Sequence, residues 1–421
     1  MKEWNQLQHV SFQSVISRMS VVIIGAGHAG VAAATALRKL DREIKITLLS
    51  EEGNLPYHRP PLSKKTIYSE SPSFDLLLSK DYYTNNNIEL TCNSIVEAID
   101  TENSCIKLSS KELIYYEQLI IATGAERRKL DINGGELAKP LYSMKDAQYL
   151  SKSIAKAKRI TVIGGGFIGC EIASGAHKLG KEITLLEAGP SILSRSVAPI
   201  FAQQVAQHHK SQGISILTDC KALSINNNEV ETDSKNILSD LIVAGIGVTP
   251  NVKLATQANL DVDNGIVVNR YLQTTNENIF AIGDVANFPF NSVTGRLRLE
   301  SIQNANDQAK TVANNIISKR LNKKLLKYSP IPWFWSDQGD LKLQMAGIGN
   351  LNAEHHILEN QKKGTLTVLH FIGNQLIALD TLNHGLNHIC GRKLLSFNQS
   401  ISIEDINKFD CNLKSLSNHL S

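Results

Sequence analysis

Short apolar runs and longer helical stretches alternate along most of the chain. Residues 20–24 read SVVII and precede the helix-forming run VAAATALRKL, after which IKITLLS forms a second apolar run. The same order returns at residue 159, where RITVI precedes CEIASGAHKLG and then EITLLE. Alternation of this kind predicts β-α-β units with parallel strands. We therefore expect an α/β protein that contains two such units.

The pattern changes near residue 326. The segments LKLQMAGIG, HILEN and TLTVLHFIGNQLIALDTL alternate as antiparallel strands do, and helical periodicity follows around residues 384–397 and 403–417. We expect residues 328–421 to form a third domain of the α+β class.

A glycine pattern follows the first apolar run. The segment GAGHAG at residues 25–30 has G-x-G-x-x-G spacing, which permits a tight turn, close approach of a pyrophosphate, and close packing of helix and strand. The anion would lie at the helix N-terminus. Glu51 lies 21 residues beyond Gly30, where a ribose-binding carboxylate is expected. The residues predicted to bind this dinucleotide are Gly25, Gly27, His28, Ala29, Gly30, Glu51 and Glu52.

A second glycine pattern follows the apolar run RITVI. The segment GGGFIG spans residues 164–169, and the next predicted strand closes at Glu187, 18 residues beyond Gly169. Glycine-rich turns are common, so one turn alone is weak support for a dinucleotide site, whereas two complete β-α-β openings predict two dinucleotides. The residues predicted at this second site are Gly164, Gly165, Gly166, Phe167, Ile168, Gly169 and Glu187.

The acidic residue of the second site bears on the choice between NADH and NADPH. Glu187 can accept both hydroxyls of an adenosine ribose but would repel a 2′-phosphate, which favours NADH. Arg195 follows eight residues later and could reach a phosphate, and Glu187 could also be a solvated carboxylate at a strand end.

Composition and charge narrow the classes of protein. The 421 residues, 42% of them hydrophobic and 20% charged, predict a globular protein of two or three domains. Lys and Arg exceed Asp and Glu by only four, which gives no argument for nucleic-acid binding. No apolar run is long enough to cross a bilayer. Residues 1–18 lack the apolar stretch of a secretory signal, and we interpret them as a flexible extension.

The cysteines exclude several kinds of chemistry. Six cysteines, at positions 92, 105, 170, 220, 390 and 411, form no CxxC or CxxxxC motif and no metal-ligand spacing. They predict reduced thiols in a cytoplasmic protein, with no metal site. The active-site cysteines of disulfide reductases, thioredoxin reductases and NADH peroxidases are missing from the expected positions.

Six further segments occur in order along the chain: LPYHRPPLSK (55–64), LIIATGA (119–125), GIGVTPN (245–251), IFAIGDVA (279–286), LESIQNANDQ (299–308) and IPWFWSDQ (331–338). With them, the sequence resembles the NADH–ferredoxin reductases of oxygenase systems, the family that includes putidaredoxin reductase and is related to apoptosis-inducing factor. The resemblance runs from about Met19 beyond residue 390. It implies hydride transfer from NADH to FAD, then transfer of single electrons to a [2Fe–2S] ferredoxin or a rubredoxin that serves an oxygenase or P450.

The resemblance also implies a domain layout. The FAD domain would be discontinuous, comprising residues 19–128 and 253–327, and the NADH domain would be inserted at residues 129–252. Both would be Rossmann-like, in a glutathione-reductase-like arrangement. The third domain, residues 328–421, would cover the flavin or supply a dimer surface, so a monomer and a homodimer both remain possible.

The resemblance implies roles for individual residues. Arg59 would lie near the adenosine or pyrophosphate half of FAD, and Lys64, paired with Glu171, near the flavin ring. Asp284 would accept hydrogen bonds from the ribityl chain, or cap a helix. Trp335 would stack by the flavin and nicotinamide, whereas Trp333 is expected in the core. Other implied cofactor contacts are Val96, Ala122, Thr123, Gly124, Glu300, Ser301, Ile302, Gly245, Ile246 and Gly247.

One position departs from the family pattern. The family usually carries an arginine four residues before the aspartate that corresponds to Asp146, and this chain has Tyr142 there. The departure predicts weaker FAD binding, unless Arg127 or Arg128 takes over the missing contact.

Two other functions are compatible with the same motifs. One is reduction of a small acceptor, such as a quinone, monodehydroascorbate or a nitrite-reductase partner. The other is a non-enzymatic role as an NADH-sensing flavoprotein of the apoptosis-inducing-factor kind.

Overall fold

A computed structural model describes residues 19–69, 71–290, 295–349, 352–397 and 399–420. The predicted flexible extension, residues 1–18, lies outside this range. None of the helices in the described ranges combines the length and apolar character needed to span a bilayer. The same ranges contain no group of three His, Cys, Asp or Glu side chains placed to hold a metal ion.

The first segment of the chain, up to residue 127, begins with the predicted β-α-β unit. Four consecutive residues of its first strand, Val21 to Ile24, are buried, as is typical of a parallel strand covered on both faces. Its elements are β1 (Ser20–Ile24), α1 (His28–Leu40), β2 (Lys45–Leu49), α2 (Lys80–Asn85), β3 (Ile88–Thr91), β4 (Val96–Asp100), β5 (Cys105–Leu108), β6 (Leu113–Tyr115), β7 (Gln118–Ile121) and β8 (Ala125–Arg127). Two short 3-10 helices, Pro60–Ser63 and Thr66–Tyr68, follow β2.

The middle segment repeats the β-α-β unit. Its elements are β9 (Lys139–Pro140), α3 (Met144–Lys156), β10 (Arg159–Ile163), α4 (Phe167–Lys178), β11 (Glu182–Leu186), α5 (Pro199–Ser211), β12 (Ser215–Leu217), β13 (Ala222–Asn226), β14 (Glu229–Thr232), β15 (Asn236–Leu238), β16 (Leu241–Ala244) and β17 (Val248–Pro250). Strands β12, β11, β10, β16 and β9 form a parallel sheet in that order.

The chain then returns to the first sheet. The elements of this return are α6 (Lys253–Gln257), β18 (Ile266–Val267), β19 (Ile279–Ala281), β20 (Ala286–Pro289), β21 (Arg296–Arg298) and α7 (Ile302–Arg320). Strand β19 pairs with β7, which completes a parallel sheet of order β19-β7-β1-β2-β3. Helix α7 packs along α1. Strand pairing thus joins residues on both sides of the middle segment, while the residue boundaries of the predicted domains stay predictions.

The C-terminal segment is an antiparallel sheet covered by helices. Its elements are β22 (Trp333–Gln338), β23 (Leu341–Gly347), β24 (Glu354–Asn360), β25 (Thr365–Ile372), β26 (Gln375–Leu382), α8 (Gly385–Ser396), α9 (Ile403–Asn407) and α10 (Leu413–His419). The predicted helical stretch around residues 403–417 consists of two short helices, α9 and α10, with a break between them. Asp410 and Cys411 adopt positive φ, and the Asn412 side chain caps α10 by accepting from the Ser415 N–H.

The strand register fixes where ligands can bind. Ile24 at the end of β1 lies beside Leu49 of β2 and Ile121 of β7, and Ala281 of β19 lies beside Ile121. The loops after these four strands therefore emerge at one edge of the sheet. Ligands of open α/β sheets bind at this carboxyl edge.

Candidate active site

A cleft of about 1790 Å³ opens at the carboxyl edge of the first sheet. Pockets for one drug-sized ligand are typically about 300–1,000 Å³, so this cleft has room for more than one such molecule. Twenty of the predicted site residues line it: Gly25, Gly27, His28, Ala29, Glu51, Glu52, Arg59, Lys64, Val96, Ala122, Thr123, Gly124, Phe167, Ile168, Glu171, Asp284, Glu300, Ser301, Ile302 and Trp335.

The other predicted site residues lie outside the lining of this cleft. Most of them belong to the glycine turn after β10 or to the loop after β16. They are Gly30, Gly164, Gly165, Gly166, Gly169, Glu187, Arg195, Gly245, Ile246 and Gly247. Phe167 and Ile168, at the start of α4, connect this second turn to the cleft.

Each of the three glycines in the first turn has a different structural role. Gly25 has φ of +103°, and a Cβ there would lie 2.3 Å from the Ala122 carbonyl oxygen. A Cβ on Gly30 would lie 1.9 Å from the Gly25 carbonyl oxygen, so this glycine lets α1 pack on the turn. At Gly27 no atom lies within 4 Å of a Cβ, and the residue lines the cleft. The open space at Gly27 faces the start of α1, where an anion is favoured.

The second glycine turn has the same geometry. Gly164 has φ of +110° and approaches the Gly245 carbonyl oxygen, while Gly169 packs on the Gly164 carbonyl oxygen. Gly166 again has open space around its Cβ position. The repeated geometry supports a second nucleotide at the start of α4.

Two of the predicted site acids, Glu187 and Glu52, differ in the groups that hold their carboxylates. Glu187 accepts hydrogen bonds from the backbone N–H groups of Gly165 and Gly189, both at 2.8 Å. Its carboxylate is therefore held beside the second glycine turn. Glu52 is bound by Arg59 and by the Tyr57 hydroxyl, so it positions Arg59.

The predicted pair of Lys64 and Glu171 is present. Lys64 Nζ lies 2.9 Å from Glu171 Oε2. Glu171 is only 4% exposed and also accepts hydrogen bonds from the hydroxyls of Ser63 and Ser336. A buried carboxylate needs such partners to remain charged. The network places one cation at the wall of the cleft and fixes its partner from several sides.

Asp284 is a carboxylic acid deep in the cleft. Burial raises its pKa to about 7, with a further contribution from the charge of Glu300, while Arg298 and Arg59 oppose the shift. No hydrogen bond among the described residues reaches its carboxylate oxygens. The backbone before it is fixed, because the Gly283 N–H donates to Gln308 Oε1 at 2.7 Å. An acid in this setting suits a ligand that carries hydroxyl groups.

Tyr142, the departure from the family pattern, fills its position with a different set of contacts. Its hydroxyl donates to the Ala125 carbonyl oxygen at 2.5 Å, and its ring lies beneath the Arg59 guanidinium. Arg127 lines the cleft and its Nη1 lies 3.8 Å from Asp146 Oδ1. Arg127 thus stands next to the aspartate that follows Tyr142, whereas Arg128 donates to the Val248 carbonyl oxygen.

An aromatic stack borders the cleft on the side of the C-terminal sheet. The rings of Trp333 and Trp335 stack with centroids 5.8 Å apart. Trp335 is 37% exposed, while Trp333 is half-buried and covered by Arg392, whose guanidinium carbon lies 4.1 Å from the ring centre. Both tryptophans line the cleft, so Trp333 is not a core residue alone.

Sequence reasoning missed several residues that hold the site. Ser63, Ser336, Tyr57 and Gln308 have no motif of their own. All four lie inside recognised segments, Tyr57 and Ser63 in LPYHRPPLSK, Gln308 in LESIQNANDQ and Ser336 in IPWFWSDQ, so those segments were the available signal.

The cleft fits FAD by the chemistry of its walls. The open turn at Gly27 offers backbone N–H groups to a pyrophosphate, Arg59 adds a cation, and Asp284 offers an acceptor without a partner among the described residues. Lys64 and Trp335 line the same cleft. The second glycine turn, with Glu187 beside it, fits the adenosine half of NADH.

Comparison with known families gives matches along nearly the whole described chain. Residues 19–309 match the family of pyridine nucleotide-disulphide oxidoreductases. Residues 333–417 match the reductase C-terminal family.

Several known proteins of similar sequence or structure are reductases of small electron-transfer proteins. Rhodocoxin reductase of Rhodococcus erythropolis is 36% identical over 406 residues, which cover 94% of each chain. Rubredoxin-NAD(+) reductase of Pseudomonas putida is 38% identical, covering 87% of this chain and 96% of the relative. The crystal structure of the ferredoxin reductase for the CYP199A2 system from Rhodopseudomonas palustris has a TM-score of 0.89 and 33% identity, covering 94% of this chain and 99% of that one.

Proposed function

Since the chain belongs to the FAD-dependent NADH–ferredoxin and rubredoxin reductases, within the pyridine nucleotide-disulphide oxidoreductase family, we propose that it transfers hydride from NADH to FAD and then single electrons to a small iron–sulfur protein. The acceptor is a [2Fe–2S] ferredoxin or a rubredoxin that serves an oxygenase or P450. The names of the relatives, a rubredoxin-NAD(+) reductase among them, support this class of acceptor.

The single observation that carries the proposal is the shared cleft. Lys64, Glu171, Asp284 and Trp335 come from four separate parts of the chain and line one cavity with the first glycine turn. When bound, FAD supplies a ring that accepts hydride from NADH and can release electrons one at a time. The protein has to hold two rings together and exclude water from between them.

Individual residues have defined tasks in this proposal. The turn at Gly25 and Gly27 binds the FAD pyrophosphate, with Arg59 as a neighbouring cation. Asp284 accepts from the ribityl hydroxyls, and Lys64 provides positive charge at the flavin ring. Trp335, exposed on the cleft wall, covers the ring face against solvent. The remaining FAD contacts are Glu51, Glu52, Val96, Ala122, Thr123, Gly124, Glu300, Ser301 and Ile302.

NADH binds at the second glycine turn. Glu187, oriented by two backbone N–H groups, accepts from the adenosine ribose, and Gly166 leaves room for the pyrophosphate. The loop of Gly245, Ile246 and Gly247 leaves the same sheet edge, since the Gly245 N–H donates to the carbonyl oxygen of Ile163 at 2.8 Å. Arg195 is exposed and lies two residues after Leu193, whose N–H donates to the Gly165 carbonyl oxygen at 2.9 Å, so Arg195 is a candidate phosphate contact.

Hydride transfer between two bound rings needs no side-chain acid or base in its first half. We propose a cytoplasmic enzyme in which residues 19–128 and 253–327 bind FAD, residues 129–252 bind NADH and residues 328–421 complete the site, as a monomer or a homodimer.

Anaerobic stopped-flow spectroscopy tests the proposal. The FAD-loaded protein is first mixed with NADH, and the loss of flavin absorbance is followed. The reduced protein is then mixed with an oxidised [2Fe–2S] ferredoxin, a rubredoxin or a quinone. Rapid bleaching by NADH and faster reoxidation by an iron–sulfur protein than by the quinone is the expected result.

Other outcomes identify the alternatives. Reoxidation by the quinone alone would indicate a reductase of a small acceptor. Slow reoxidation by every acceptor, together with an NADH-dependent change of mass in light scattering, would indicate an NADH-sensing flavoprotein. A protein that stays colourless after incubation with flavin would contradict all three functions.

A further inference from the structure

The side chain of Glu171 is held by a serine from the C-terminal sheet. Ser336 Oγ donates to Glu171 Oε1 at 2.7 Å, and both residues are buried, with exposed fractions of 0% and 4%. Lys64 and Ser63 bind the other oxygen, Oε2. Among the described residues, Ser336 is therefore the one side chain that donates a hydrogen bond to Oε1 of Glu171.

The pleat of β22 explains why this serine reaches Glu171. Successive side chains of a strand point to opposite faces, so Trp335 and Ser336 face different sides. Trp335 is exposed on the cleft wall, while Phe334, Ser336 and Gln338 share the face towards α4. The Phe334 ring makes an edge-to-face contact with Phe167 of α4, at a centroid distance of 4.8 Å. Strand β22 thus contributes Trp335 to the tryptophan stack on the cleft wall. It also contributes Ser336 to the hydrogen bonds around the ion pair of Lys64 and Glu171.

Two more buried side chains orient the Ser336 hydroxyl. Gln338 Nε2 lies 3.2 Å from Ser336 Oγ, and Gln338 Oε1 lies 2.9 Å from His209 Nε2. If the amide were reversed, Ser336 would face two acceptors with one proton, and one of them would lose its hydrogen bond. The orientation that satisfies every group has His209 donating to Gln338, Gln338 to Ser336 and Ser336 to Glu171.

His209 can donate the hydrogen bond to Gln338 Oε1 while its ring is neutral. Burial lowers its pKa, with the Gln338 hydrogen bond opposing the shift, which favours the neutral form with hydrogen on Nε2. The chain of donors is therefore aligned in one direction and ends on the carboxylate. Aligned hydrogen bonds in a low-dielectric interior reinforce one another.

We propose that Ser336 is a positioning residue for the flavin site, which acts through Glu171 by keeping its carboxylate seated on Lys64. Gln338 and His209 hold the serine proton in place. This inference rests on the proposed function, in which Lys64 lies at the flavin ring. It assigns the C-terminal sheet a part in setting the flavin potential, in addition to covering the cleft.

The reduction potential of the bound flavin reports the effect. S336A leaves Oε1 of a buried carboxylate without a donor, so the Glu171 side chain is held less firmly against Lys64. Lys64 is then a less compensated cation, and positive charge favours the reduced, anionic flavin. We expect the S336A potential to lie above that of the wild type and below that of E171Q. In the E171Q background, adding S336A should cause no further shift.

Matched variants separate this role from general packing. Ser174 is buried on α4 and donates to the backbone carbonyl oxygen of Glu171 at 3.1 Å, but does not touch the carboxylate. S174A should leave the potential unchanged, and S336T, which retains a hydroxyl, should restore it. If S336A does not retain FAD, Q338M should still give a smaller upward shift, because it removes the group that orients the serine proton.

Several results would overturn the inference. An unchanged or lowered potential in S336A would do so, as would a shift of equal size in the E171Q background. A wild-type protein that binds no flavin or is not reduced by NADH would instead reject the proposed function. The two failures are thus distinguishable with the same set of proteins.

Discussion

The guanidinium carbon of Arg59 lies 5.0 Å from the centre of the Tyr142 ring, and Arg59 Nη1 donates to the Tyr142 carbonyl oxygen at 2.9 Å. Tyr142 therefore holds Arg59 through both its ring and its backbone. An arginine at this position, as in the family pattern, would bring a second cation towards Arg59. This chain instead combines a tyrosine at 142 with Arg127 beside Asp146.

Replacing Tyr142 separates the contribution of its hydroxyl from that of its ring. Y142F loses the hydrogen bond to the Ala125 carbonyl oxygen, so the free energy of unfolding should fall by about 1 kcal/mol. FAD affinity should change less than about twofold, because the ring remains. Y142A also loses the cation–π contact, worth roughly 0.5–2 kcal/mol, and its FAD dissociation constant should rise about tenfold, the factor that corresponds to 1.4 kcal/mol.

Chemical denaturation and flavin fluorescence titration of the apoprotein measure these effects. Tyr149 provides the control, because its ring also carries a cation, Lys139 Nζ at 5.8 Å from its centre, but does not line the cleft. Y149A should leave FAD affinity unchanged. Equal affinity in Y142A and the wild type would show that the Arg59 contact has no part in binding.

Asp284 should make FAD binding depend on pH. Its pKa in the unliganded protein is about 7, raised mainly by burial, whereas ribityl hydroxyls that donate to it favour the ionised form. Binding then releases a proton below pH 7, so affinity should rise by up to about tenfold per pH unit towards pH 7 and level off above it. Titrations of the apoprotein between pH 5.5 and 8.5 measure this slope.

Asp284 should give the stability of the apoprotein the opposite dependence on pH from that of FAD binding. Because the folded-state pKa of Asp284 is raised above the unfolded value, its contribution lowers the stability of the apoprotein as pH rises from about 4 to about 7. D284N should remove the pH slope of both FAD binding and stability in this window. D75N, which alters an exposed carboxylate outside the cleft lining, should retain both slopes.

Lys64 and its neighbour Lys65 form a natural test pair. Lys64 pairs with buried Glu171, whereas Lys65 pairs with Asp75 at 2.8 Å, and both of those side chains are more than half exposed. K64M leaves a buried carboxylate without its cation, so the flavin potential should fall and FAD retention should weaken. K65M should change neither, because exposed ion pairs contribute little. Spectroelectrochemistry checks the potential, and unchanged values in K64M would contradict the placement of Lys64 at the flavin.

The positions of the glycine turns, of the strand ends and of the six segments shared with the family could be predicted, because they depend on local spacing. The two turns at Gly25 and Gly164 follow from backbone geometry, which the sequence specifies directly. The pairing of Lys64 with Glu171 required the family resemblance, because these residues lie 107 positions apart.

Contacts made by ordinary polar residues could not be predicted. Ser336 and Gln338 contact Glu171 and His209 only because β22 packs on the middle segment, and no local sequence pattern indicates that packing. The break between α9 and α10 depended on left-handed conformations at Asp410 and Cys411, which these residue types adopt less readily than glycine.

Glu187 should determine the preference for NADH over NADPH. Its two oxygens accept from the N–H groups of Gly165 and Gly189, so the negative charge is fixed beside the second glycine turn. A 2′-phosphate in this position would meet that charge directly. In E187Q the repulsion is lost, and the ratio of kcat/KM for NADH to kcat/KM for NADPH should fall at least about tenfold, equivalent to 1.4 kcal/mol.

Reduction of the bound flavin by each nucleotide in stopped-flow experiments gives this ratio without an electron acceptor. Glu182 begins the strand that ends before Glu187, and it is exposed and paired with Lys158 at 3.2 Å. E182Q removes the same charge from the far end of β11, so its ratio should equal that of the wild type. If E187Q and E182Q shift the ratio equally, the preference arises from overall charge and not from a carboxylate held at the ribose.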